Sequence, residues 1–131
     1  YMTYLTLTQI RNARLRADVR SECRRAEQSG RRLSYGQALR RVLHRPVSQG
    51  YFVSVDHALP MVRRAISGKL PAWLSPMRRQ MWLEITDKVI ARRHATGCTA
   101  VDAIAHVLQS STASRYFLSP ATAQKILYHE L

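Results

Sequence analysis

Apolar residues recur along this chain with helical spacing, and serine, threonine, glycine and proline interrupt them at regular intervals. From residue 8 to about 29, Leu15, Val19, Cys23 and Ala26 follow i, i+4, i+8, i+11 and define one narrow helix stripe. Thr8 is the expected N-cap and Gly30 the stop. Ser34 with Gln37 three residues on has capping-box spacing, so a second helix starts there. It buries Ala38, Leu39, Val42 and Leu43 and ends before Pro46. Tyr51-Phe52-Val53 has strand propensity but is too short to stand as an independent strand. Ser54 caps a third helix reaching Ser67-Gly68, in which Pro60 is expected to cause a kink or a late start.

The second half repeats this order. Lys69–Leu74 is a connector, with Pro71 and Trp73 expected against the core. Ser75-Pro76 is a helix start, and the fourth helix carries Met77, Met81, Ile85 and Val89, thickened by Trp82, to about Ala95. Gly97 stops it. Thr99 and Asp102 repeat the cap of Ser34 and Gln37, and a last helix follows Ser119-Pro120. Sliding residues 34–66 onto 99–131 without a gap gives seven identities in 33 positions, among them Tyr51 on Tyr116, Phe52 on Phe117 and Ser54 on Ser119. One residue fewer in the next loop places Val19 on Ile85. The expected architecture is a mostly α single domain over residues 1–131, built of six helices. They form two tandem pseudo-symmetric three-helix repeats, about 8–68 and 75–131, with room for one short strand per repeat. The Tyr-Phe segments are expected to pair antiparallel across a pseudo-twofold axis. Their rings are read as core rather than as stacking platforms for bases.

Charge changes the picture. The 131 residues hold 21 Lys and Arg against 8 Asp and Glu, a net +13, and 18 of the 21 are arginine. Such a balance favours an acidic partner, most often nucleic acid. It is uneven: residues 1–45 carry eleven arginines and three acids, whereas residues 97–131 are neutral. Arg16, Arg20 and Arg24 form a ridge at i, i+4, i+8 that repels itself, with only Glu27 near enough to Arg24 to offset it. Phosphate contact explains this ridge better than solvation. Arg31, Arg32, Arg40 and Arg41 extend it. Arg78 and Arg79 join the candidates because they stand in a first helical turn, where the dipole disfavours cations.

Other chemistry is thinly represented. The chain has no phosphate-cradling glycine loop, no His-x-x-x-His pair and no Cys-His cluster, so no cofactor, metal site or catalytic set is expected. Asp18 with Glu22, and Glu84 with Asp87, share helix faces, and each has arginine or lysine close by, so they read as acids in helix-surface ion pairs with those cations. Cys23 and Cys98 read as small buried hydrophobes of a reduced, cytoplasmic protein. Met2–Leu7 is too short for a signal peptide, no run approaches a membrane span, and the first helix has too little apolar bulk to insert in a bilayer. The link from His44 to Ser54 is too long for a helix-turn-helix.

The segment Arg115-Tyr116-Phe117-Leu118-Ser119-Pro120-Ala121-Thr122-Ala123 resembles the C-terminal signature of small proteins of Bacteroidales mobile elements and phages. The likeness spans about 25 residues, and the first copy departs from it with Gly50 where Arg115 stands. The resemblance implies a mobile-element nucleoprotein role and carries over no activity or binding residues. The expectation is a non-enzymatic protein that binds DNA or RNA through phosphate contacts, as a mobile-element or phage DNA-binding or regulatory protein. The alternative is a protein-interaction or assembly subunit of a nucleoprotein or phage complex, with a protein partner or a second copy of itself.

Overall fold

In the computed structural model, residues 6–128 are described. The protein is mostly helical (68%), with six helices and a small two-stranded antiparallel sheet. The order is α1 (Leu7–Gln28), α2 (Tyr35–Leu43), β1 (Val47–Ser48), α3 (Val55–Ile66), α4 (Pro76–Thr96), α5 (Ala100–Ser110), β2 (Thr112–Ala113) and α6 (Pro120–Tyr128).

The helix ends follow from local chemistry. The first cap is Thr6, not Thr8: its hydroxyl accepts from the Gln9 amide while the Gln9 side chain accepts from the Thr6 amide. Ser34 and Gln37 close the same reciprocal box on α2, and Ser54, Ser75 and Thr99 cap α3, α4 and α5. Gly30 and Gly68 take positive φ just past α1 and α3. The following amides, Arg31 and Lys69, reach back to the carbonyls of Ala26 and Arg64, the 6→1 bond of a Schellman ending. Pro60 neither delays nor divides α3, which starts at Val55 and carries the proline on its exposed side.

Two expectations of detail are corrected. The strands are not the Tyr-Phe segments but the dipeptides four residues before them. Phe52 sits at φ 54, in the left-handed region, and a residue there ends an extended run. Trp73 is not held by the core; it is 81% exposed, while Leu70 and Leu74 on either side are half-buried.

The helices assemble into two compact units that do not follow chain order. One consists of residues 1–47 and 114–131, the other of residues 48–113. In the first unit α1, α2 and α6 pack on one another, around Leu15, Val19, Ala38, Leu39, Val42, Leu43, Tyr116 and Phe117. In the second unit α3 packs on α4 and α5, around Val62, Met81, Trp82, Ile85, Val89, Ala103 and Ile104. The third helix of each sequence repeat therefore belongs with the first two helices of the other.

A buried tyrosine hydroxyl needs a partner, and each unit supplies a carboxylate from its long helix. Tyr116 donates to Asp18 Oδ2 at 2.5 Å, across 98 positions of sequence. Tyr51 donates to Glu84 Oε1 at 2.8 Å, and Lys88 Nζ donates to the Tyr51 oxygen at 2.7 Å and to the Thr112 carbonyl at 2.6 Å. Asp18 and Glu84 are the residues just before Val19 and Ile85, so they coincide in the repeat register as the tyrosines do. Both phenols have their pKa pushed well up, first by burial and then by the carboxylate that accepts from them.

A raised tyrosine pKa favours the neutral form in the folded state. The stability it represents is complete below about pH 10, the unfolded value, and is lost as pH rises through the folded value. Urea denaturation of the wild type is expected to show falling stability above that pH. Tyr51→Phe and Tyr116→Phe should each cost about 1.5–3 kcal/mol at neutral pH and flatten the alkaline decline. Unchanged curves would remove these bonds from the stability of the fold. The chain order of the units makes a second prediction. A fragment of residues 48–113 should fold alone, giving a cooperative thermal transition by circular dichroism. Fragments 1–68 and 69–131, cut at the repeat boundary, should not.

Candidate nucleic-acid interface

The first unit carries most of the charge: 13 Lys and Arg against 4 Asp and Glu, net +9, compared with 8 against 4, net +4, for the second. On α1, Arg20 and Arg24 are exposed, whereas Arg16 at the head of the ridge is half-buried. Arg31 and Arg32 follow in the turn after α1 and are exposed. Arg40 and Arg41 are exposed in the last turn of α2, where the helix dipole favours cations, so their position alone demands no ligand.

The centre of this surface is a residue that the sequence reading placed on the outside. Glu22 is 4% exposed, and its carboxylate is clasped by three guanidinium groups. Arg45 binds it in a two-pronged fork, Nη1 to Oε2 at 2.5 Å and Nη2 to Oε1 at 2.7 Å. Arg25 Nη2 lies 3.1 Å from Oε2, and Arg41 Nη1 lies 3.5 Å from Oε1. The Arg45 hydrogen bond holds the Glu22 carboxyl below the usual carboxylate range, against burial, which acts the other way. In return the carboxylate raises the Arg45 pKa.

The signal for Glu22 was present in the sequence: Leu15, Val19, position 22 and Ala26 run i, i+4, i+7, i+11, and Glu22 sits on the buried stripe. Cys23, assigned to that stripe, is a free thiol and only half-buried, as is Cys98. Arg45 lies beyond the end of α2, where periodicity says nothing about direction.

Around the clasp lies a cleft of about 370 Å³, lined by Glu22, Ser29, Arg25, Arg31, Arg41 and Arg45. Four arginines thus line the cleft beside one carboxylate, and three of them are paired with it. Asp18, the other acid in the middle of α1, is taken up by Tyr116.

Arg78 and Arg79 belong to the second unit and have local tasks. Arg79 Nη2 donates to the Pro71 carbonyl at 2.8 Å and so holds the connector before α4; Arg78 Nη1 lies 3.7 Å from Met81 Sδ. Both are half-buried. The second unit also has a groove of about 770 Å³ between α3 and α4, with Ile66 and Ile90 exposed on it and Arg63, Arg93 and His94 at its edge. Tyr51, Tyr116 and Phe117 are buried in their units.

Among the described residues no group of three His, Cys, Asp or Glu is placed to hold a metal, and no helix is long and apolar enough to cross a membrane. No family model matches the chain, and no curated protein or solved structure is similar enough to count as a match.

A group with a depressed pKa contributes stability that is present above its unfolded value, about 4.3 for Glu, and lost as pH falls through its folded value. The melting temperature of the wild type should therefore drop on acidification below that point, and Glu22→Gln should drop less. Arg45→Ala removes the fork and should cost about 2 kcal/mol, reduced from the full penalty of a buried unpaired charge because Arg25 and Arg41 remain. Arg31→Ala should lie within about 0.5 kcal/mol of wild type. Equal losses for Arg45→Ala and Arg31→Ala in denaturant would contradict a Glu22-centred network.

Proposed function

We propose that the protein binds nucleic acid through phosphate contacts made by the first unit, and that it does so without catalysing a reaction. The observation that carries this reading is the unbalanced arginine surface of the first unit, where Arg20, Arg24, Arg31 and Arg32 are exposed and Arg25, Arg31, Arg41 and Arg45 line a cleft. Asp18 accepts from Tyr116, and Glu22 is shared among Arg25, Arg41 and Arg45, so neither carboxylate is paired with Arg20, Arg24, Arg31 or Arg32. Arginine suits the task because its planar fork matches two phosphate oxygens at once. Arg20, Arg24, Arg31 and Arg32 are the principal contacts in this reading, with Arg16, Arg40 and Arg41 at the margin. Arg78 and Arg79 contribute less because they are half-buried and locally engaged. The cytoplasmic setting and the mobile-element or phage context rest on the sequence, including its two unpaired cysteines and its C-terminal signature.

A second reading, an assembly subunit within a nucleoprotein or phage complex, is favoured by one feature. The groove of the second unit exposes Ile66 and Ile90 beneath a basic edge, which suits an acidic amphipathic segment of a protein partner. Size-exclusion chromatography before and after nuclease treatment separates the two: co-eluting nucleic acid supports the first, and a nuclease-insensitive defined oligomer supports the second.

If six to ten phosphates are contacted, affinity for duplex DNA, single-stranded DNA or structured RNA should fall by about 10³–10⁵ between 50 and 200 mM salt. Arg20→Ala with Arg24→Ala should weaken binding to all sequences alike and lower the salt slope by about one per arginine. A flat salt response would overturn the proposal, and loss at a single sequence would replace phosphate contact by base readout.

A further inference from the structure

We infer that the Glu22 cleft is a receptor for a phosphomonoester, the terminal phosphate of a nucleic-acid strand. This rests on the nucleic-acid reading and deepens it. Glu22 draws Arg25, Arg41 and Arg45 toward one carboxylate, and Arg31 lines the same cleft without an ion pair of its own among the described residues. One negative charge against four positive ones leaves three in surplus within about 370 Å³. A surface ridge can spread such a surplus into solvent. Here Glu22 holds three of the four guanidinium groups close together, so more of the surplus stays in one place.

Each guanidinium has five N–H donors, and Glu22 occupies one or two on each of its three partners. The remaining donors have a chemistry that fits oxygen anions. A backbone phosphodiester brings one charge and two free oxygens. A phosphomonoester brings about −1.5 to −2 at neutral pH and three strong acceptor oxygens, and so matches both the surplus and the donor count better. Ser29, at the end of α1, adds a hydroxyl to the wall. The buried glutamate is thus a positioning residue: it orients the arginines and does not meet the ligand as an attractive group.

The test uses the full chain and three versions of one 3′-labelled single strand: with a 5′-hydroxyl, with a 5′-phosphate, and with one further nucleotide and a 5′-hydroxyl. The third adds a phosphate as a diester and so controls for the number of phosphates. Anisotropy titrations at physiological salt should show the 5′-phosphorylated strand bound about tenfold more tightly than either of the others. A 5′-labelled strand carrying a 3′-phosphate tests the opposite end, and preference for either end supports the inference. Orthophosphate should erode the preference before it weakens the binding itself. The preference should also shrink near pH 5, where the second phosphate ionisation, with pKa about 6, is reversed.

Arg31→Ala should lower affinity for every strand by the loss of one phosphate contact and, beyond that, bring the ratio between phosphorylated and hydroxyl-ended strands down to about one. Arg24→Ala should lower both affinities and keep their ratio. If Arg31→Ala does not keep the wild-type melting temperature, Arg31→Gln takes its place, and loss of the preference is again expected. Equal binding of phosphorylated and extended strands at both ends overturns the cleft assignment and leaves the nucleic-acid reading standing. A preference that survives removal of Arg31 places the monoester elsewhere and overturns the assignment too. No binding of any strand overturns both.

Discussion

Two phenol-to-carboxylate hydrogen bonds set the terms for the rest of the molecule. Tyr116 on Asp18 and Tyr51 on Glu84 are donated from buried rings to acceptors on the long helices α1 and α4. Burial makes each ring an asset and each hydroxyl a liability, and the carboxylate removes the liability only if the helix offers it at one particular turn. That requirement fixes the rotation of α1 and α4 about their axes. It also fixes which segment can follow each tyrosine into the core: α6 in the first unit and α3 in the second. The pairing spans 98 positions in one case and 33 in the other, so the first unit closes only after nearly the whole chain is available. Long-range closure of this kind raises the entropic cost of reaching the native state and slows folding relative to two independent three-helix bundles.

Much of this was legible in the sequence. The capping residues Ser34, Ser54, Ser75 and Thr99 lie where the spacing placed them, because an N-cap is a local exchange of hydrogen bonds that neighbouring residues fully determine. The α2 stripe of Ala38, Leu39, Val42 and Leu43 is buried as expected, and so are the rings of Tyr51, Tyr116 and Phe117. The partners in the core were not legible. Repetition of a pattern says that two segments have similar needs, and either set of first helices could satisfy α3 or α6. Only three-dimensional closure chooses between them. Trp73 shows the same limit: its size suggested burial, but it is exposed while Leu70 and Leu74 are half-buried.

The candidate site was half-legible for a related reason. Arginine exposure at Arg20, Arg24, Arg31 and Arg32 follows from helix phase and turn position. Same-helix ion pairs do form, Arg25 with Glu22 and Lys88 with Glu84, but spacing along one helix shows neither the burial of Glu22 nor the tyrosines that donate to Asp18 and Glu84. Glu22 instead falls on the apolar stripe, and its partners come from α1, from α2 and from the loop beyond. A carboxylate there would be costly without Arg45, whose two-pronged geometry satisfies both oxygens together.

The electrostatics of the surface is therefore a consequence of how the core is satisfied. A helix with eight arginines between Arg11 and Arg32 or just beyond its end would ordinarily use its acids to damp its own repulsion. Here Asp18 is committed to a tyrosine, and the one buried carboxylate of Glu22 is shared among Arg25, Arg41 and Arg45, so neither acid is paired with Arg20, Arg24, Arg31 or Arg32. What remains outside is positive charge held at fixed positions by an interior network. Arg25 and Arg41 gain order from Glu22, and ordered cations lose less conformational entropy on meeting an anion than mobile ones do. The same carboxylate that makes the arginines tolerable beside one another leaves them in surplus, which is why the cleft rather than the outer ridge is where a compact, highly charged ligand would be bound with most discrimination.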